Sequence, residues 1–140
     1  MTSPNLDNLV KAKQLKPEPP DRAEFEGLVH SGRVRLADAA RRENSLQSRF
    51  DLAYNAAHAL ALAALRRQGY RSENRYTVFL CLPHTLGLAA EQWRVLELAH
   101  KKRNAAEYAG LLEIDEPLLA DMLRIAQILL EKLDALGPPA

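Results

Sequence analysis

Residues 46–68 read LQSRFDLAYNAAHALALAALRRQ, and this stretch decides the fold. Seven alanines fall between positions 53 and 64. Alanine is the best helix former, and a helix that is apolar on every side belongs at the centre of a bundle, where small side chains let neighbouring backbones approach. Asn44 and Gln47 offer a capping pair at its start, and Gly69 stands where a helix commonly closes. Four polar residues interrupt the apolar surface at helical spacing: Asp51, Tyr54, Asn55 and His58. They need partners, because an unpaired buried polar group is costly.

Working outward, Asp21 and Glu24 have the spacing of a capping box, opening a helix to about Arg42 with an apolar stripe of Phe25, Leu28, Val29, Leu36, Ala39 and Ala40. Gly32 weakens that helix by roughly 1 kcal/mol relative to alanine and marks a bend or a close crossing. After Gly69 a short helix is expected from Tyr76 to Leu82, cut by Pro83. A third long helix spans Ala89–Ala109, with Trp93, Val95, Leu96, Leu98 and Ala99 as core candidates and Gly110 closing it. Asp115 caps a fourth, in which Leu119, Met122, Ala126, Leu129, Leu133 and Leu136 recur at helical spacing until Gly137.

No alternation of β-branched and aromatic residues is sustained, so the fold class is all-α. The expected architecture is an antiparallel four-helix bundle with a short helix in the connection between the second and third long helices. Residues 1–20 form a short N-terminal helix (Leu6, Leu9, Val10, Leu15) outside the bundle and a Pro-rich linker, "KPEPP"; residues 21–136 are the bundle and 137–140 a tail.

The chain has 140 residues, of which 47% are hydrophobic, enough for one compact core. Its net charge of +1 implies no bulk attraction to nucleic acid or acidic membrane. The charge is unevenly placed: residues 41–104 hold eleven basic against five acidic groups, and residues 105–140 two against seven. That division suits a phosphate-facing surface, or helices of opposite sign packed as neighbours. Cys81, the one cysteine, excludes an internal disulfide and reads as a small buried hydrophobe. With no leader-like apolar start and no membrane-length apolar run, a soluble cytoplasmic protein is expected.

The candidate chemistry lies in HKKRNAAEYAG, residues 100–110. His100, Arg103, Asn104 and Glu107 share a helix face, and Tyr108 flanks it. Lys101 and Lys102 extend the basic surface, although cations near a helix C-terminus are also favoured by its dipole. Across the bundle Asp51, Asn55 and His58 are expected to meet Arg103, Asn104 and Glu107, as a functional cluster or, preferably, as a satisfied network, since a buried arginine needs a carboxylate. The run RRQGYRSENR, residues 66–75, offers Arg71, Arg75 and Tyr70 to a phosphate backbone and its bases, or is a solvated loop. The four histidines show no short-spaced ligand pair, so no metal or other cofactor is expected, and no phosphate-binding glycine loop or nucleophile elbow is present.

Arg103-Asn104 followed by Glu107-Tyr108, late in the third long helix of such a bundle, resembles the signature region of the HEPN superfamily, and residues 49–71 resemble its second helix. The family pattern is an arginine, commonly a polar residue next, and a histidine after four to six intervening positions. Here position 108 is tyrosine, and the longer spacings reach Ala109 and Gly110. The resemblance implies a homodimer whose signature helices build one site, often a metal-independent endoribonuclease in toxin–antitoxin or phage-defence systems. It carries Arg103, Asn104 and, in place of the histidine, Tyr108 over as site residues, with His100 the alternative imidazole. An unperturbed tyrosine is a poor general base at pH 7, with a pKa of about 10. The expectation is therefore a non-catalytic or weakly active module that binds nucleotide, RNA or a partner protein such as a minimal nucleotidyltransferase. The alternatives are a HEPN endoribonuclease using Arg103 and a purely structural helical domain.

Overall fold

A computed structural model describes the backbone of residues 4–109 and 115–139 and the side chains of residues 4–106 and 115–139. The chain is all-α: α1 (Pro4–Lys11), α2 (Arg22–Ala39), α3 (Leu46–Arg67), α4 (Arg75–Leu80), α5 (Leu82–Thr85), α6 (Ala90–Ala109) and α7 (Glu116–Leu136). Two short extended pieces, β1 (Lys16–Pro17) and β2 (Tyr70–Arg71), pair antiparallel with Lys16 opposite Arg71.

The alanine-rich helix is central, as its composition requires. From Phe50 to Leu65 it buries Ala53, Tyr54, Ala57, Leu60, Ala61 and Ala64, and it packs against both α2 and α7. At the crossing with α2, a Cβ built on Gly32 would lie 2.6 Å from the Leu60 side chain, so a glycine is what lets the two helices come this close. Cross-helix bonds fix the directions. Tyr54 meets His100 and Asp51 meets Arg103, so α3 and α6 are antiparallel. Arg67 at the end of α3 donates to Gly137 O beyond the end of α7, so those two run the same way. Arg33 of α2 pairs with Asp134 of α7, opposite in sense. The four long helices thus form the up-down-up-down bundle.

Asp21 caps α2 through Ala23 N and Glu24 N, Asp115 caps α7 through Leu118 N, and Gly69 (φ 90) and Gly137 (φ 72) follow α3 and α7. The capping box is not closed, because the Glu24 carboxylate is drawn to arginines on α3 and β2. Helix α2 stops at Ala39, short of Arg42, and Ser45 rather than Asn44 caps α3, accepting from Ser48 N. The Asn44 amide instead donates to Asp38 O at the end of α2. Pro83 does not end the helical chain there; it sits in the first turn of α5, where its missing N–H costs nothing. Gly110 lies outside the described residues.

Residues 4–20 are bonded to the bundle. Leu6 and Leu15 are buried in the common core, the Tyr70 hydroxyl donates to Asp7, and Glu18 N donates to Gly69 O. Among the described residues no helix is long and apolar enough to cross a membrane.

Candidate functional site

The polar stripe of α3 faces α6 and α4. Tyr54 is almost fully buried at its ring and shares a 2.9 Å hydrogen bond with His100 Nδ1. His100 Nε2 lies 3.1 Å from the Asn104 amide nitrogen, so the imidazole bridges the Tyr54 phenol and the Asn104 amide through its two ring nitrogens. Two guanidiniums rest against the same phenol ring. Arg103 Cζ is 4.7 Å and Arg75 Cζ 5.5 Å from its centroid, within the range of cation–π attraction. Arg103 also reaches Asp51 at 3.4 Å, a long contact to a carboxylate more than half exposed, and Arg75 donates to Asn55 Oδ1 at 3.0 Å. Among the described residues Arg75 has no carboxylate partner.

An aromatic wall holds these groups in place. Phe79 of α4 meets Tyr54, His58 and His100 edge-on, and Tyr76 lies between His100 and Trp93 while donating to Glu97. The environment sets the protonation of three groups. Burial, aided by the nearby Arg75 and Arg103 charges, pushes His58 down to about 4. Burial raises the Tyr54 phenol against the opposing pull of the same two arginines. Burial and the hydrogen bond to Glu97 raise Tyr76. His58 is thus neutral at pH 7 and too weakly basic to serve well as a proton acceptor, and neither tyrosine is a base. The arrangement sets two guanidiniums and the His100 imidazole around one phenol, while His58 and the two tyrosines are poorly suited to accept a proton.

The structure therefore brings Asp51, Tyr54, Asn55, His100, Arg103 and Asn104 together, with His58 behind them against Phe79. The side chains of Glu107 and Tyr108, which the signature also includes, lie outside the described residues. Lys101 is exposed and Lys102 half-buried, on the same helix.

The loop expected to grip a phosphate backbone has another use. Tyr70 is 4% exposed, with its hydroxyl bound to Asp7 at 2.6 Å, and offers no ring for a base to stack on. Arg71 is held by Glu18 at 2.8 Å and by Glu24, which raises its pKa through those hydrogen bonds. Only Arg75 of that run joins the cluster. Sequence reasoning missed Arg66, which is 2% exposed and bonds Glu24 at 2.5 Å, Glu18 O at 3.0 Å and Pro19 O at 2.7 Å. A signal existed: position 66 falls three and seven residues after the buried Ala63 and Ala59, on the inner face. Tyr76 and Phe79 were also missed, because the contacts that give them a role come from a different helix.

Among the described residues no group of three or more His, Cys, Asp or Glu is placed to hold a metal ion. Comparison with known proteins returns no matching family model, no matching curated protein and no matching solved structure.

Proposed function

We propose that the chain is a HEPN-like module, working as a homodimer, that binds the phosphates of single-stranded RNA on the face made by Arg75, Arg103 and His100 and does not cleave it efficiently. One observation carries this reading: two guanidiniums lie against the Tyr54 ring, and Arg75, among the described residues, has no carboxylate to neutralise it. The missing histidine of the signature and the depressed basicity of His58 argue for binding rather than catalysis. A toxin–antitoxin or defence-type setting, with or without a partner protein, is what the resemblance adds.

The test is anisotropy of a labelled single-stranded RNA titrated at several salt concentrations. Binding should weaken with salt, and Arg75→Ala and Arg103→Ala should each flatten the logarithmic slope by about 0.7, the value for one single-strand phosphate contact. Unchanged affinity and slope in the double variant would remove RNA from this face. Light scattering that shows a monomer at micromolar concentration would remove the dimer.

A second reading, a metal-independent endoribonuclease, is favoured by His100 alone. Its imidazole lies between a phenol and an amide one helical turn from Arg103. Cleavage that is present between pH 5 and 9, lost in His100→Ala and lost in Arg103→Ala would establish it over the binding reading.

A further inference from the structure

A groove of about 730 Å³, within the range of small-molecule sites, runs between the turn after α1 and the start of α4, beyond the Arg75 and Arg103 cluster. Lys13, Lys16, Arg71 and Ser72 give it a polar wall, and Leu15 and Tyr76 an apolar one. Lys13 is held at φ 62, in the left-handed region. It sits where α1 closes, with Lys13 N bonded to Val10 O and Gln14 N to Leu9 O, both at 2.9 Å. Glycine is the unstrained residue at that position of a helix end, and a lysine there costs about 1 kcal/mol.

Strain of this kind gathers at ligand sites, and here it falls on a lysine that lines the groove. Among the described residues neither Lys13 nor Lys16 is in an ion pair, whereas Arg71, fixed by two carboxylates, is part of the wall. The Ser72 hydroxyl accepts from Asn74 N and still has its own proton to donate. Glu73 also lines the groove, so the surplus of positive charge is small and a highly charged polyanion is not what it fits.

We propose that this groove binds a small phosphorylated ligand carrying a flat ring, the chemistry of a nucleoside phosphate: phosphate oxygens on Lys13, Lys16 and the Ser72 hydroxyl, the ring against Tyr76 and Leu15. The site is separate from the arginine face and does not depend on RNA binding there. Tyr76 borders both, lining the groove while its ring lies 5.6 Å from that of His100, and it is also 6.2 Å from the ring of Trp93, the chain's one tryptophan.

That tryptophan supplies the assay. ADP is titrated into the full chain at about 50 mM salt, where exposed charges are weakly screened, with Trp93 emission and calorimetry as readouts. Saturable binding is expected, with adenosine alone at least tenfold weaker and inorganic pyrophosphate competing. Lys13→Gly combined with Lys16→Ser should weaken ADP about tenfold or more while the thermal midpoint stays level or rises, because the strain at position 13 is relieved. Arg75→Ala with Arg103→Ala should leave ADP affinity within twofold. No calorimetric binding at millimolar ADP, equal affinity in the lysine variant, or adenosine binding as tightly as ADP would each overturn the proposal; loss confined to the arginine variant would move the ligand to the other face.

Discussion

Replacing Arg66 by methionine removes a charge and its hydrogen bonds while keeping a long apolar stem in a buried helical position. In the native chain that guanidinium ties three segments: Glu24 of α2, the carbonyls of Glu18 and Pro19, and, at 3.3 Å, the Tyr70 carbonyl of β2. Breaking a buried ion pair by deleting one partner costs about 3–5 kcal/mol, because the surviving groups remain desolvated and unpaired. The lower end applies here, since the Glu24 side chain is 30% exposed and keeps its bond to Arg71. A loss of about 3 kcal/mol in a chain of this size corresponds to a fall in Tm of about 10 °C. Circular dichroism melts measure it directly, and limited proteolysis should cut first between α1 and α2, where the carbonyl ties are lost. Glu24→Gln should cost less on its own, and the double variant less than the sum of the two, as expected for groups in one network. A Tm within about 2 °C of wild type for Arg66→Met would refute the view that this network holds the N-terminal segment to the bundle.

Three further outcomes follow from other positions. Gly32→Ala should destabilise by about 1–2 kcal/mol despite alanine's better helix propensity, because the added methyl meets the fully buried Leu60, whereas Gly27→Ala, with nothing within 4 Å, should stabilise by about 0.5–1 kcal/mol; urea unfolding compares them. His58 is depressed to about 4 in the folded chain, so its contribution is complete above the unfolded value of 6.5 and is lost as pH falls from 6.5 toward 4. Stability should drop across that window by on the order of 2–3 kcal/mol, and His58→Gln should flatten the dependence; an NMR titration placing the His58 imidazole near 6.5 would contradict it. Burial works to raise the Glu24 carboxyl, but hydrogen bonds from Arg71 and Arg66 outweigh it and hold the group low. Its contribution is therefore present above the ordinary carboxylate pKa and lost as pH falls through the lowered folded value, a dependence that Glu24→Gln should remove.

The bundle was legible because its signals are local and repeated. Alanine and leucine spacing on α3 and α7, the caps at Asp21 and Asp115, and the glycines at 69 and 137 each act within a turn or two of chain. Glu24 was misread for the opposite reason. As a local feature it has the spacing of a capping box, but an arginine forty-two residues later competes for its carboxylate and wins, because that arginine is buried and cannot be left unpaired. Tyr70 shows the same limit: in a run of four arginines it reads as a stacking ring or as part of a solvated loop, and only the return of α1 past β2 explains its burial. The Asp51–Arg103 contact was within reach because the stripe on α3 and the face on α6 each had helical periodicity, and antiparallel packing pairs such faces.

Two groups of arginines have different surroundings in this chain. Carboxylates and carbonyls occupy the donors of Arg66, two carboxylates hold Arg71, and moving either toward a ligand would take a partner from Glu18 and Glu24. Arg75 rests on the Tyr54 ring and an amide and, among the described residues, has no carboxylate, while Arg103 rests on the same ring and makes a long contact to the exposed Asp51. The Tyr54 ring lets two like charges stand close by, since each is attracted to its quadrupole, and the burial that raises the phenol keeps it a neutral hydrogen-bonding group beside them. A site built this way is suited to holding an anion against a rigid wall. The same burial strips His58 of its basicity, so under the binding reading the enclosure that keeps the Tyr54 phenol neutral also removes one imidazole from proton transfer and leaves His100 as the group whose replacement separates binding from cleavage.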